Sequence, residues 1–174
     1  MPHLITREEA LRRIRAEVDE GACLMCALRD DRAGERWVVA DEGDVLVVLP
    51  RYVRRWGQVL VLPKPHVTSF TEVDEGMWQR TSRWARHAAC VVEAELRPRR
   101  CYLASTGSAA GEITQSSMHL HVHVIPLYEP DDRPADIFSW SSGVYVAHAE
   151  EWRALRDKLA DAWRARREGA LSAG

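Results

Sequence analysis

Residues 118–125, Met-His-Leu-His-Val-His-Val-Ile (MHLHVHVI), place histidine at 119, 121 and 123 of an otherwise apolar run. In an extended strand alternate side chains share a face, so His119, His121 and His123 project one way and Leu120, Val122 and Val124 the other. The apolar set faces the core. An ordinary amphipathic strand shows the same alternation, but histidine is an uncommon choice for its polar face, and the chain has only seven histidines. Neighbouring histidines on one strand face stand about 6.6 Å apart at the backbone. Two can converge on one ion, whereas three can do so only if the strand bends.

Upstream, Cys23 and Cys26 form a Cys-x-x-Cys pair. Two thiolates suit a tetrahedral ion, which then needs two further ligands, commonly imidazoles. Outside the triplet the candidates are His3, His66, His87 and His148. His3 lies at a terminus that is expected to fray, and His87 falls on the polar side of a helical stretch beside Arg83 and Arg86. His66 directly follows the strand-like QVLVLPKP, where a sheet fixes its position.

The flanking sequence reads as one α+β domain over residues 1–174. The capping box Thr6-Arg7-Glu8-Glu9 opens an amphipathic helix over 6–20. Short β-rich runs at 37–40, 44–50, 57–63, 99–105 and 118–127 predict an antiparallel sheet of about five strands. Apolar residues recur every three or four positions from Thr71 to Leu96 before Pro98, predicting a long helix that covers one sheet face. A final helix is expected over 149–167. With 46% hydrophobic and 29% charged residues the chain can bury a core without disulfides. Its net charge of −2 argues against a dedicated nucleic-acid or membrane-surface binder. No apolar run is long enough to span a bilayer and the start does not resemble a signal peptide, so a cytoplasmic protein is expected.

The segments VLPKPHV at 61–67 and QSSMHLHVHVIP at 115–126, with the cysteine pair ahead of them, resemble the histidine triad (HIT) family of nucleotide hydrolases and transferases. The resemblance spans about residues 22–128, and His119 to Ile125 match the family pattern of three histidines alternating with apolar residues. It implies a structural Zn2+ on Cys23, Cys26, His66 and His119. It makes His121 the nucleophile that forms a nucleotidyl-histidine, with His123, Gln115 and Ser116 serving the phosphate or the leaving group. The small-residue loop before the triad, including Gly107, Ser108 and Gly111, then offers backbone N–H groups to phosphate oxygens. Relatives usually form homodimers, which sets the expectation here.

Two departures bear on substrate. Pro50 occupies the position where many relatives carry a ribose-binding acidic or amide residue, and the loop before the triad is lengthened by Glu112-Ile113-Thr114. Arg51, Arg54 and Trp56, with Arg55, are candidates to hold further phosphates and stack a base, or else form a solvated basic loop. The competing expectation is a zinc-stabilised nucleotide-binding or interaction module without catalysis.

Overall fold

A computed structural model describes residues 1–17, 23–32, 35–105 and 118–172. In chain order the elements are β1 (His3–Ile5), α1 (Arg7–Glu17), α2 (Leu24–Arg29), β2 (Trp37–Glu42), β3 (Val45–Leu49) and β4 (Val59–Pro63). There follow α3 (Glu75–Leu96), β5 (Arg100–Ala104), β6 (Val122–Leu127), α4 (Pro134–Ser139), β7 (Val144–Val146) and α5 (Ala149–Ser172). Strands β2 to β6 form one antiparallel sheet in the order β2-β3-β4-β6-β5, and β1 pairs with β7 in a separate two-stranded ribbon.

Strands β3 and β4 are apolar at nearly every position and fully buried, the mark of strands covered on both faces. On one face Val45, Val47, Leu49, Val59 and Val61 meet α3 and α5, which contribute Ala85, Ala88, Val92, Trp152, Leu159 and Trp163. On the other, Leu46, Val48, Leu60 and Leu62 are covered by Met25, Ala27 and Leu28 of α2. The short helix carrying Cys26, with Cys23 at its N-cap, is thereby pinned beside the end of β4. Arg29 adds a tether, donating from Nη1 to the carbonyl of Lys64 at 2.6 Å.

Helix α3 begins at Glu75, later than the periodicity predicts, because Asp74 caps it by accepting from the Met77 amide at 2.9 Å. Its expected polar side is only partly solvated: Arg83 and Arg86 are exposed, but His87 is half-buried against the final helix, its ring 4.4 Å from that of Trp163. Helix α5 runs to Ser172, past the expected end at 167, and is held to β2 by Glu42, which accepts from Trp163 Nε1 and from Arg167 at 2.8 Å each.

The segment between β6 and the final helix, where periodicity gives no signal, forms α4 and β7. Asp132 organises it, accepting from the Tyr128 and Glu129 amides at 3.2 Å and from Arg55 Nε at 2.9 Å, with only 5% of its side chain exposed. Replacing Asp132 by alanine leaves a largely buried guanidinium without its carboxylate, and is expected to cost about 3 kcal/mol in urea unfolding. Burial raises the Asp132 pKa, but Arg55 and the two amides outweigh it and hold it below the ordinary value. The contribution is therefore complete above the unfolded-state carboxylate pKa and is lost as pH falls through the folded one, so the alanine and wild-type stabilities converge in acid.

Candidate active site and metal centre

The strand β6 starts at Val122, so the run that holds His119 and His121 precedes the ladder instead of continuing it. Leu120 donates its amide to Val67 at 2.7 Å, and the Pro63 carbonyl at the end of β4 lies 2.8 Å from Nε2 of His119. The histidines do not form a solvated polar face. His119, His121 and His123 are 0%, 5% and 6% exposed, each with its own partners.

His119 turns toward the cysteines. Its Nδ1 lies 3.8 Å from Cys23 Sγ and 3.5 Å from Cys26 Sγ, and His66 Nδ1 lies 3.2 Å from Cys26 Sγ. All four donor atoms fall within 4.8 Å of one another. A tetrahedral ion at ordinary zinc–sulfur and zinc–nitrogen lengths sets its ligand atoms about 3.3–3.8 Å apart, so the set fits with minor contraction. The Pro63 carbonyl fixes the proton of His119 on Nε2 and leaves the Nδ1 lone pair for a metal. Burial first, and then the neighbouring Cys23, push the Cys26 thiol up. Two apposed thiols resist ionisation for that reason, and a bound cation reverses the balance. These four residues form a candidate metal site.

His121 and His123 face each other instead, Nε2 to Nε2 at 3.2 Å. Their proton positions follow from the partners behind them. Gln58 accepts from the Arg54 amide through Oε1 at 3.0 Å, which turns its NH2 group toward Nδ1 of His123 at 3.1 Å. Nη1 of Arg54 approaches the same nitrogen at 3.3 Å. Both groups are donors, so His123 Nδ1 is an acceptor and its proton sits on Nε2. That proton is donated to His121 Nε2. The remaining nitrogen of His121, Nδ1, donates to the His119 carbonyl at 2.6 Å. Burial pushes His121 down to about 4 against the raising effect of that carbonyl, and drives His123 well below its ordinary value. Both rings are neutral at pH 7, and His121 Nε2 carries an unprotonated lone pair.

The three histidines are therefore split, one directed to the cysteines and two to each other. Among the remaining sequence candidates, Arg51 is half-buried in the β3–β4 loop, Arg54 is buried behind His123, and the Trp56 ring lies 4.5 Å from that of Trp152. Pro50 is buried at the end of β3. Gly107, Ser108, Gly111, Gln115 and Ser116 lie outside the described residues. Gln58 was missed by sequence reasoning. Its signal was a polar residue at the mouth of the apolar run GQVLVLP, directly after the positive-φ Gly57.

Comparison with known proteins converges on one family. An uncharacterised HIT-like protein of Mycoplasma genitalium is 32% identical over 74 residues, which span 42% of this chain and half of that one. A hypothetical histidine triad nucleotide-binding protein of Sulfolobus tokodaii superposes with TM-score 0.65 at 24% identity, covering 82% of this chain and 93% of the other. A zinc-bound histidine triad family protein of Mycobacterium smegmatis does so with TM-score 0.61 at 20% identity, covering 83% and 97%. The likeness to these structures is one of fold. The HIT domain sequence profile itself matches residues 33–130, which include His66 and the whole triad, and the chain belongs to the HIT domain family.

Proposed function

We propose that this protein binds a nucleotide or nucleotide conjugate and cleaves a phosphoanhydride or phosphoramidate bond in it through a nucleotidyl-His121 intermediate. The observation that carries this reading is the ordered chain of hydrogen bonds from Gln58 through His123 and His121 to the His119 carbonyl. It keeps a lone pair on His121 Nε2 and a proton on Nδ1, the state a histidine nucleophile requires.

In the first step the Nε2 lone pair attacks the α-phosphorus and forms a P–N bond, while the bond to the leaving group breaks and its electron pair departs with that group. The positive charge that develops on the His121 ring is stabilised by its Nδ1–H bond to the His119 carbonyl. His123 Nε2–H, released from His121 as the phosphorus takes its place, donates to a phosphoryl or leaving-group oxygen. Water then attacks phosphorus, loses a proton to solvent or the departed base, and the P–N electron pair returns to His121. Gln115, Ser116 and the backbone of the loop bearing Gly107, Ser108 and Gly111 are assigned to phosphate oxygens, and Arg51 to a further phosphate.

Cys23, Cys26, His66 and His119 would hold a zinc ion, whose chemistry is structural because four protein ligands leave no open position. Held this way, His119 anchors the carbonyl that orients His121. The nucleotide-binding description of the Sulfolobus relative supports the substrate class, and a cytoplasmic homodimer completes the proposal.

Stereochemistry tests the two-step course. Hydrolysis of a nucleotide substrate made chiral at the α-phosphorus with sulfur, run in isotopically labelled water, is expected to proceed with net retention. Net inversion means a single displacement by water and rules out the covalent intermediate.

A further inference from the structure

We infer that Arg54 is a positioning residue for His123, itself fixed by the segment that follows the family-matched region, and does not serve as a phosphate ligand. The inference deepens the proposed function by assigning a role inside that same site.

Arg54 is 5% exposed, an unusual placement for a guanidinium. No carboxylate pairs with it among the described residues, and its buried Nε has no hydrogen-bond partner. Burial pushes its pKa down to about 10, which leaves it charged at neutral pH. Its surroundings hold it from behind. The guanidinium carbon lies 5.7 Å from the Phe138 ring centroid and 5.6 Å from that of Trp140, a geometry in which aromatic faces partly replace lost hydration. Its chain neighbours are gripped by the same segment. Val53 exchanges two backbone hydrogen bonds with Tyr145, at 3.2 and 2.7 Å, and Arg55 pairs with Asp132. Three consecutive residues of the β3–β4 loop are thus each engaged by residues 132–145, beyond the profile match that ends at 130.

All this restraint converges on one nitrogen. Gln58 alone could donate to His123 Nδ1, but an amide can also turn its oxygen to a ring N–H. Arg54 removes that freedom in two ways, one through its backbone and one through its guanidinium. Its backbone amide claims Gln58 Oε1 at 3.0 Å, and its Nη1 presents a second donor and a positive charge at 3.3 Å from Nδ1. A proton on Nδ1 would face both. His123 is consequently locked with its proton on Nε2, aimed at His121 Nε2 and at the phosphoryl group that displaces it. A residue buried behind a histidine in this way cannot also reach past it to a phosphate.

The test uses the full-length, metal-loaded protein labelled with nitrogen-15 at histidine. Two-bond proton–nitrogen spectra at pH 7 report which ring nitrogen carries the proton, and His123 is assigned by the loss of its signals in His123→Gln. Wild type is expected to show His123 protonated on Nε2 alone. Arg54→Met keeps the backbone amide on Gln58 but removes the second donor and the positive charge, and is expected to let the Nδ1 tautomer appear beside the Nε2 form and to lower kcat about 30-fold with KM changed less than threefold, while Arg54→Lys restores the Nε2 tautomer and part of kcat. Gln58→Glu places an acceptor beside Nδ1 and an anion beside Arg54, so this variant, which gains an ion pair, is expected to fold and to move the His123 proton to Nδ1. An unchanged tautomer in Arg54→Met overturns the assignment, with a shift in Gln58→Glu alone giving the role to Gln58, as does a raised KM with unchanged kcat in Arg54→Met. Should the tautomers respond as expected while no nucleotide is turned over by wild type, the positioning role stands and the hydrolytic reading fails.

Discussion

His121→Ala is expected to lower turnover of a dinucleoside polyphosphate or nucleoside phosphoramidate by about 10³-fold or more while leaving fold and metal content unchanged. The size of the effect follows from what is lost. No other group among the described residues presents a neutral nitrogen lone pair at this place, because the Nδ1 atoms of His119 and His123 are committed to the cysteines and to Gln58 with Arg54. Fold is spared because the His121 ring makes its polar contacts with a backbone carbonyl and with His123, and a water in the space left can donate to the first and accept from the second. His123→Ala should cost less, about 10²-fold, since it removes a proton donor and leaves the attacking atom in place. Initial-rate kinetics with circular dichroism and metal analysis on each variant check the ordering. Full turnover by His121→Ala contradicts the assignment of the nucleophile.

Removing a cysteine is expected to act on stability first. Cys26→Ala should release the metal and lower the urea unfolding free energy by about 3 kcal/mol or more, with chelation of wild type producing a similar loss. The reason lies in how little else holds α2. The helix is six residues long and covers Leu46, Val48, Leu60 and Leu62 with three buried side chains and the half-buried Leu24, so its anchorage depends on the ligand set and on the tethers of Arg29 to the Lys64 carbonyl and of Arg36 to the last turn. Loosening it exposes an apolar sheet face and frees His119, whose carbonyl orients His121. Activity is therefore expected to fall together with metal content, although no step uses the ion. Elemental analysis and urea titration of Cys26→Ala decide the matter, and full metal occupancy with an unchanged midpoint would contradict the proposed ligand set.

Much of this arrangement was legible in the residues. The five sheet strands and the long helix were readable because β-branched runs and 3.6-residue periodicity are strong signals, and four metal-ligand candidates were readable from spacing and family resemblance together. The elements that escaped are those whose existence depends on tertiary partners. Helix α2 is only Leu24–Arg29 and β7 only Val144–Val146, too short for periodicity to register. The cap at Asp74 was masked by the apolar Val73 ahead of it. Arg54 escaped for a different reason. Sequence treats an arginine-rich RYVRRWG as basic surface, and only the ring faces of Phe138 and Trp140, some 85 residues downstream, turn one of its arginines inward. The division of labour among the histidines depended likewise on partners far away in the chain, Pro63 for His119 and Gln58 for His123.

In the proposed course His121 carries the nucleotidyl group. Metal-loaded protein mixed with a nucleoside phosphoramidate and quenched within a turnover in alkaline denaturant, which preserves a phosphorus–imidazole bond, can be weighed intact and then mapped by peptide mass spectrometry. A mass gain of one nucleoside monophosphoryl group is expected, located on His121 and missing in His121→Ala. Turnover by wild type with the adduct on another residue, or an adduct of the same mass in His121→Ala, would contradict it.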